Sequence, residues 1–211
     1  MQMEEVRQNW YALKVFYNKV FEMEDRLAGM GFETYLAAEK VQLKGEDHSA
    51  AARKLGKLPE GCRPDSRYIR EGPFIYERRP MVSSLLFVRA GKGGISRISE
   101  MLKGPVEINK PEGFVYRTTD WQDFCVIPDR QMTVFILVTS SGDSGLRFFS
   151  AEESGLFKKG EKVRVTEGPL KGAEGYVRRI RKNRRLLVAI EGVVAVATSY
   201  IPPQFLEKVE D

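Results

Sequence analysis

Trp10 to Phe16 (WYALKVF) is dense in aromatic and β-branched side chains, the composition of a strand. The apolar residues after it, Val20, Met23, Leu27 and Met30, recur at helical spacing and predict a helix with one buried face. Asn18 stands where that helix needs a cap, and Gly29 and Gly31 end it. Phe32 to Leu36 (FETYL) predicts a second strand, so the chain opens β-α-β. From Lys44 to Pro80 glycines, prolines and charges interrupt the pattern, which predicts a long loop or arm with a helical turn or two at SAAARKL. Leu85 to Arg89 (LLFVR) reads as a buried strand, and Ile95, Ile98 and Leu102 share one face of a second helix. Short strands are expected at Phe114 to Arg117 and Cys125 to Ile127, and Pro128 opens a helix that Met132 to Val138 continues.

The polar, Ser/Gly-rich stretch Thr139 to Gly155 has the composition of a linker. Beyond it, strands are predicted at Lys162 to Thr166, Gly175 to Ile180, Leu186 to Ile190 and Val193 to Tyr200, separated by turns at GPLKG, RKNR and EGV. Their regular spacing predicts a five-stranded barrel of about SH3 size. The fold class is therefore α+β, with a mixed amino-terminal domain and a small all-β carboxy-terminal one.

With 211 residues, 42% of them hydrophobic, the chain is long enough for two packed domains. Its net charge of +5 is unevenly placed. Residues 156–211 hold 12 Lys/Arg against 7 Asp/Glu, while the remainder is balanced. The excess suggests a surface for phosphates or an acidic partner, and equally suits a solvated basic face. Cys62 and Cys125 are isolated in sequence, as in a reducing cytosol, and MQMEEVRQNW lacks the apolar run of a secretory signal. A soluble cytoplasmic protein is expected.

Nothing in the sequence assembles catalytic chemistry. His48 is the single histidine and lies in the charged Lys44–Pro80 stretch, where a solvated side chain is the ordinary case. There is no His/Cys cluster for zinc, no phosphate-binding Walker element and no nucleophile elbow. Neither enzyme activity nor a cofactor or metal is expected. Lys92 to Ser96 (KGGIS) precedes a helix and offers only a weak anion site. The strongest charge signal is the hairpin Arg178 to Arg185, with six cations that repel one another unless splayed into solvent or neutralised by phosphates. Alternation in YVRRI puts Tyr176 and Arg178 on one face and Val177 and Arg179 on the other, so one arginine is expected near the core edge.

The run KKGEKVRVTEGPLKGAEGYVRRI resembles a KOW motif, in which a glycine precedes a strand and a GP-x-x-G turn leads to the next. Gly168 and Gly172 permit the tight turn, Pro169 fixes φ, and Leu170 is expected to project from it. WYALKVFYNKVFEMEDRLAGMGFETYLA resembles the opening of the NGN domain of the NusG family, and ERRPMVSSLLFVRA resembles a later strand of that domain. NGN, linker and KOW is the NusG order. The resemblance implies an NGN domain over residues 1–140, with an inserted arm at about 44–80. A linker follows at 141–155, and a KOW domain fills 156–211. VIPDRQMTVFILV looks most like the UpxY-like antiterminators of Bacteroidetes polysaccharide operons.

What the resemblance implies is a ferredoxin-like antiparallel sheet flanked by helices, and a binding role without catalysis. NGN domains lie across the RNA polymerase cleft, grip the clamp helices of the largest subunit through an apolar depression, and suppress pausing or termination. Carried over by position, the gripping wall is Phe16, Tyr17, Met81, Val82 and Leu85. Val82-Ser83-Ser84 replaces the family's aromatic-Pro-Gly, which implies a shallower pocket. Lys14, Lys19 and Arg26, or the arm's Arg67, Arg70, Arg78 and Arg79, are candidates to face the non-template DNA strand or nascent RNA. Arg178, Arg181 and Arg184 are the barrel's nucleic-acid candidates. The turn Gly168, Pro169, Leu170 and Gly172 would hold NusE in the ribosome or the factor Rho, with leucine at a position where phenylalanine is common. The alternative reading is a ribosome-associated or other RNA-binding KOW protein that does not engage polymerase.

Overall fold

A computed structural model of the chain describes residues 7–56, 66–104, 110–150, 161–180 and 183–209. It divides the chain into two compact units, Met1–Tyr116 and Arg117–Asp211. The division falls before the Pro128 helix, not after it as a first domain of 1–140 expects.

In the first unit, strand β1 (Asn9–Val15) leads into α1 (Val20–Gly29) and β2 (Glu33–Tyr35). Strand β6 (Leu85–Ala90), helix α3 (Lys92–Leu102) and strand β7 (Gly113–Val115) repeat the pattern. The four strands form one antiparallel sheet in the order β2-β6-β1-β7, so β1 and β6 pair at the centre. The helical spacing read from the sequence is the one that packs. Val20, Met23 and Leu27 of α1 and Ile95, Ile98 and Leu102 of α3 are all buried. Leu86, Val88 and Ala90, of the same parity on β6, are all buried. Asn18 does not cap α1. The cap position is Lys19, without a side-chain cap bond, while Tyr17 and Asn18 both turn left-handed at φ +59° and +55°.

The stretch expected as an arm is largely regular structure. Strand β3 (Ala38–Gln42) is followed by α2 (Gly45–Gly56), β4 (Tyr68–Glu71) and β5 (Phe74–Pro80). The strands form a second antiparallel sheet in the order β3-β5-β4. Gly72 and Pro73, which read as interruptions, are the two-residue loop of the β4-β5 hairpin, with Glu71 opposite Phe74 and Gly72 at φ +60°. His48 sits on α2 with Nε2 3.2 Å from the Pro73 carbonyl oxygen.

In the second unit, helix α4 (Asp129–Thr139) starts directly after Pro128 and buries Met132, Phe135 and Val138. Then come β8 (Arg147–Ser150), β9 (Glu161–Val165), β10 (Glu174–Ile180), β11 (Asn183–Ile190), β12 (Val194–Tyr200) and β13 (Leu206–Lys208). They form a six-stranded antiparallel sheet, β13-β9-β10-β11-β12-β8, with α4 against β11. Each of the four strands predicted after residue 160 is present, but with β8 and β13 added they lie in a six-stranded sheet and not in the five-stranded barrel expected. Strand β8 was read as linker, because Arg147-Phe148-Phe149-Ser150 follows seven small or polar residues and carries only two apolar side chains. Cys125 to Ile127 forms no strand and has a single bridge residue, Ile127. Arg117 and Phe124 make an isolated bridge instead. Among the described residues no helix is long and apolar enough to cross a membrane. The architecture is α+β.

Candidate functional site

One end of the first sheet is built from exposed rings. Past Val15 the chain leaves the sheet but stays tied to its neighbours: the Val15 amide donates to the Ser84 carbonyl at 2.8 Å, and the Phe16 amide to that of Glu112 at 2.7 Å. Phe16 is thereby fixed beside β7, and the left-handed Tyr17 turns its ring outward, 53% exposed. Phe114, 43% exposed, joins them from β7. The rings form a chain of edge-to-face and tilted contacts. Centroids are 6.1 Å apart for Tyr17–Phe16, 6.0 Å for Phe16–Phe114 and 5.4 Å for Phe114–Tyr116. Such pairs gain energy beyond their buried area and hold one another's orientation. Lys110 lies 4.6 Å over the Tyr17 ring, a cation-π contact that leaves a positive charge at the rim. Burial pushes the Tyr116 hydroxyl above its ordinary pKa, so it stays a neutral donor.

Gly113 makes this arrangement possible. A Cβ there would stand 2.0 Å from the Lys14 carbonyl oxygen, so only glycine lets β7 approach β1 closely enough to set Phe114 beside Phe16.

Of the five residues expected to form an apolar gripping wall, Phe16 and Tyr17 belong to this end. Met81 and Val82 are half-buried on the loop after β5, where the Met81 amide donates to Ala37 O at 2.9 Å. Leu85 is 5% exposed and pairs opposite Lys14 within the sheet, so it is core and offers no surface. Phe114 and Tyr116 were not singled out from the sequence. Their alternation in FVYR places them on one strand face, but only the β1–β7 register brings that face to Phe16.

The cationic candidates separate once their partners are visible. Arg78 is a structural side chain. It donates to both oxygens of Glu24 at 2.7 and 3.1 Å and to the Ser66 carbonyl at 3.0 Å. Its guanidinium and that of Arg67 lie 5.5 and 5.2 Å from the Phe21 ring centre. Arg26 pairs with Glu112 at 2.5 Å, Arg79 with Glu77 at 2.9 Å and Lys19 with Glu22 at 3.5 Å. A cavity of about 260 Å³ opens between Asn18, Phe21, Arg67, Arg79 and Ser84. Arg70 is exposed, and Lys14 is half-buried on β1. In the sheet of the second unit, Arg178 is exposed and Arg184 half-buried, whereas Arg181 lies outside the described residues. The arginine at the core edge is Arg185, which donates to the carbonyls of Thr198 at 2.8 Å and Gly145 at 3.2 Å.

The GPLKG turn has the expected backbone, with Gly168 and Gly172 left-handed at φ +82° and +88°. Leu170 does not project. It is 8% exposed, because the Ala173 amide donates to its carbonyl at 2.9 Å and folds the turn over the sheet edge. Its side chain lines a groove of about 300 Å³ with Pro169, Val165, Tyr200, Pro202 and Phe205. No protein-family model matches the chain, and no curated protein matches its sequence.

Proposed function

We propose that the protein is a non-catalytic transcription elongation and antitermination factor of the NusG type. It would bind RNA polymerase through the first unit and carry a KOW barrel as the second. The strand order β7-β1-β6-β2 is that of a ferredoxin-like split β-α-β fold, with the β3-β5-β4 sheet as an insertion. The six-stranded antiparallel sheet that follows, with left-handed glycines at the GPLKG turn, is read as the KOW part of such a chain.

The observation that carries the reading is the ring chain Tyr17–Phe16–Phe114–Tyr116 at the end of the sheet, in which Tyr17 and Phe114 are exposed and are held by the half-buried Phe16 and Tyr116. Aromatic side chains fixed by one another present apolar area at low entropic cost, the property of an interface anchor. Seated on the clamp helices, this end would favour the closed-clamp state over paused ones by binding it better. The barrel groove beside Leu170 would take NusE or Rho, and polysaccharide operons are the proposed setting.

The test is capture of the full chain by purified RNA polymerase, with Tyr17→Asp and Phe114→Asp as variants. Both residues are exposed, so a folded variant that loses capture supports the reading. Unchanged capture by both variants moves the contact elsewhere, and no capture by the wild type removes the reading.

One observation favours a second reading, an RNA-binding KOW protein. In the β10–β11 ladder Arg178 pairs opposite Arg185 and Arg179 opposite Arg184. Like charges directly across a ladder destabilise it unless counter-charge is supplied, and Arg185 turns to the carbonyl oxygens of Thr198 and Gly145. RNA binding that is lost on Arg184→Glu, without polymerase capture, would favour it.

A further inference from the structure

The largest exposed side chain in the described structure is used by none of the surfaces above. Trp121 is 73% exposed at the tip of a short loop, Arg117 to Phe124. The loop is well fastened. The Thr118 amide donates to the Asp123 carbonyl at 3.0 Å, and the Trp121 amide to the Thr118 carbonyl at 2.9 Å. The Thr118 hydroxyl donates to Asp120 Oδ1 at 2.5 Å, and that same oxygen accepts the Gln122 amide at 3.2 Å. Arg117 folds back, with its guanidinium 4.6 Å from the Phe124 ring centre and one nitrogen 3.3 Å from the Trp121 carbonyl oxygen.

Trp121 itself sits at φ +60°, a conformation that glycine adopts freely and a bulky residue adopts only under strain. The chain thus holds its largest apolar side chain in water, at a position where glycine would fold with less strain. The fold gains nothing visible from the indole. Strain retained on a rigid, exposed residue is a feature of ligand clamps and contact sites.

The surroundings specify what the indole meets. Asp120 and Asp123 flank it in sequence, Asp120 is held ionised by its hydrogen bonds, and the Arg117 guanidinium lies over Phe124. Two carboxylates beside the ring repel phosphates, which argues against nucleic acid and anionic lipid. They suit an apolar protein pocket with a lysine or arginine rim, and a tryptophan that fills such a pocket is a strong anchor.

We infer that the Trp121 loop is a second, independent anchor on RNA polymerase, inserting the indole into an apolar pocket rimmed by cations. This rests on the polymerase reading above.

The experiment measures affinity of the full chain for purified RNA polymerase, with Trp121→Ala, Trp121→Gly and Asp123→Lys as variants and thermal unfolding alongside. Loss of Trp121 is expected to weaken binding by about 30-fold, as for a buried tryptophan anchor. Trp121→Gly should melt no lower than wild type, and Asp123→Lys should weaken binding by roughly threefold at low salt and less at high salt. Equal affinity of the wild type and both Trp121 variants would overturn the anchor and leave the polymerase reading standing. No binding by the wild type would overturn both. In a folded Trp10→Phe variant the Trp121 indole is the sole tryptophan. Its fluorescence should be unmoved by single-stranded DNA, and strong quenching would replace the protein pocket with base stacking.

Discussion

Each unit ties arginine to a well-shielded glutamate, Arg78 to Glu24 in the first and Arg130 and Arg164 to Glu174 in the second, and the two arrangements do different work. In the first, Glu24 and Arg78 are both withdrawn from water, with side chains 10% and 17% exposed. In the second, Glu174 is 12% exposed, but its partners Arg164 and Arg130 are 49% and 68% exposed. The Glu24 pair sits on Phe21 and joins α1 to β5, so it is part of how the inserted sheet is held to the helix layer. The Glu174 cluster joins α4 to the β9–β10 ladder from outside, with the cationic heads still hydrated. An arginine count in sequence treats these side chains as equivalent. What distinguishes them is whether the charge has an alternative partner in water when its carboxylate is lost.

The sharpest way to break that comparison is to remove Glu24. Glu24→Gln removes the counter-charge from Arg78, leaving the Ser66 carbonyl and a neutral amide oxygen as its acceptors, and a cost of about 3 kcal/mol is expected, toward the lower end for a broken buried pair. Urea unfolding of the full chain reads this as a lower midpoint for the first transition that loses structure. Replacing both partners by Leu and Met should recover much of the loss. A loss below about 1 kcal/mol would put the pair among ordinary surface contacts and return Arg78 to the candidates for phosphate binding.

Glu174 should respond to pH, and more weakly. Hydrogen bonds from Arg164 hold its carboxyl below the ordinary glutamate value of 4.5, against burial that pushes it up, with Arg130 adding to the lowering. A pKa lower in the folded state than in the unfolded chain contributes stability above pH 4.5 that is lost as pH falls through the folded value. Asp143 acts in the same direction. Burial alone would raise its carboxyl, but the Ser199 hydroxyl and amide, the Gly145 amide and the Arg185 charge together hold it down. Acid melts should therefore lose stability below about pH 4.5, and Glu174→Gln should flatten part of that slope while costing about 1 kcal/mol at neutral pH. An unchanged slope in the variant would assign the acid sensitivity to Asp143 and other carboxylates.

The difference between the clusters also shows where sequence reasoning reached and where it stopped. The strands and helices with clean periodicity, WYALKVF, the Ile95–Leu102 face and the four strands after residue 160, are present as read. The 44–80 stretch was misread because the adjacent charges Arg70-Glu71 and Glu77-Arg78-Arg79 hide the alternation of its strands, and its Gly-Pro is a hairpin loop. Phe16 and Tyr17 were legible as aromatic residues at a strand end. Phe114 was not, since only the Lys14↔Phe114 register brings it to them. Leu85 and Arg78 were misassigned for one reason: residue type does not reveal burial, and both are withdrawn from solvent by contacts distant in sequence, as Leu170 is withdrawn into its groove rather than projecting.

The smallest expected effect closes the series. Lys40 and Glu71 meet at 2.5 Å across the face of the β3-β5-β4 sheet, with side chains 52% and 49% exposed. Their geometry is as short as that of Arg26–Glu112, yet both charges keep most of their hydration, and holding two long side chains together costs rotamer freedom. Glu71→Gln should change stability by less than about 0.5 kcal/mol, with the difference vanishing in high salt. A salt-insensitive loss comparable to that of Glu24→Gln would mean that burial is not what separates the two classes of pair. The charge geometry of the inserted sheet would then have to hold its strands together directly.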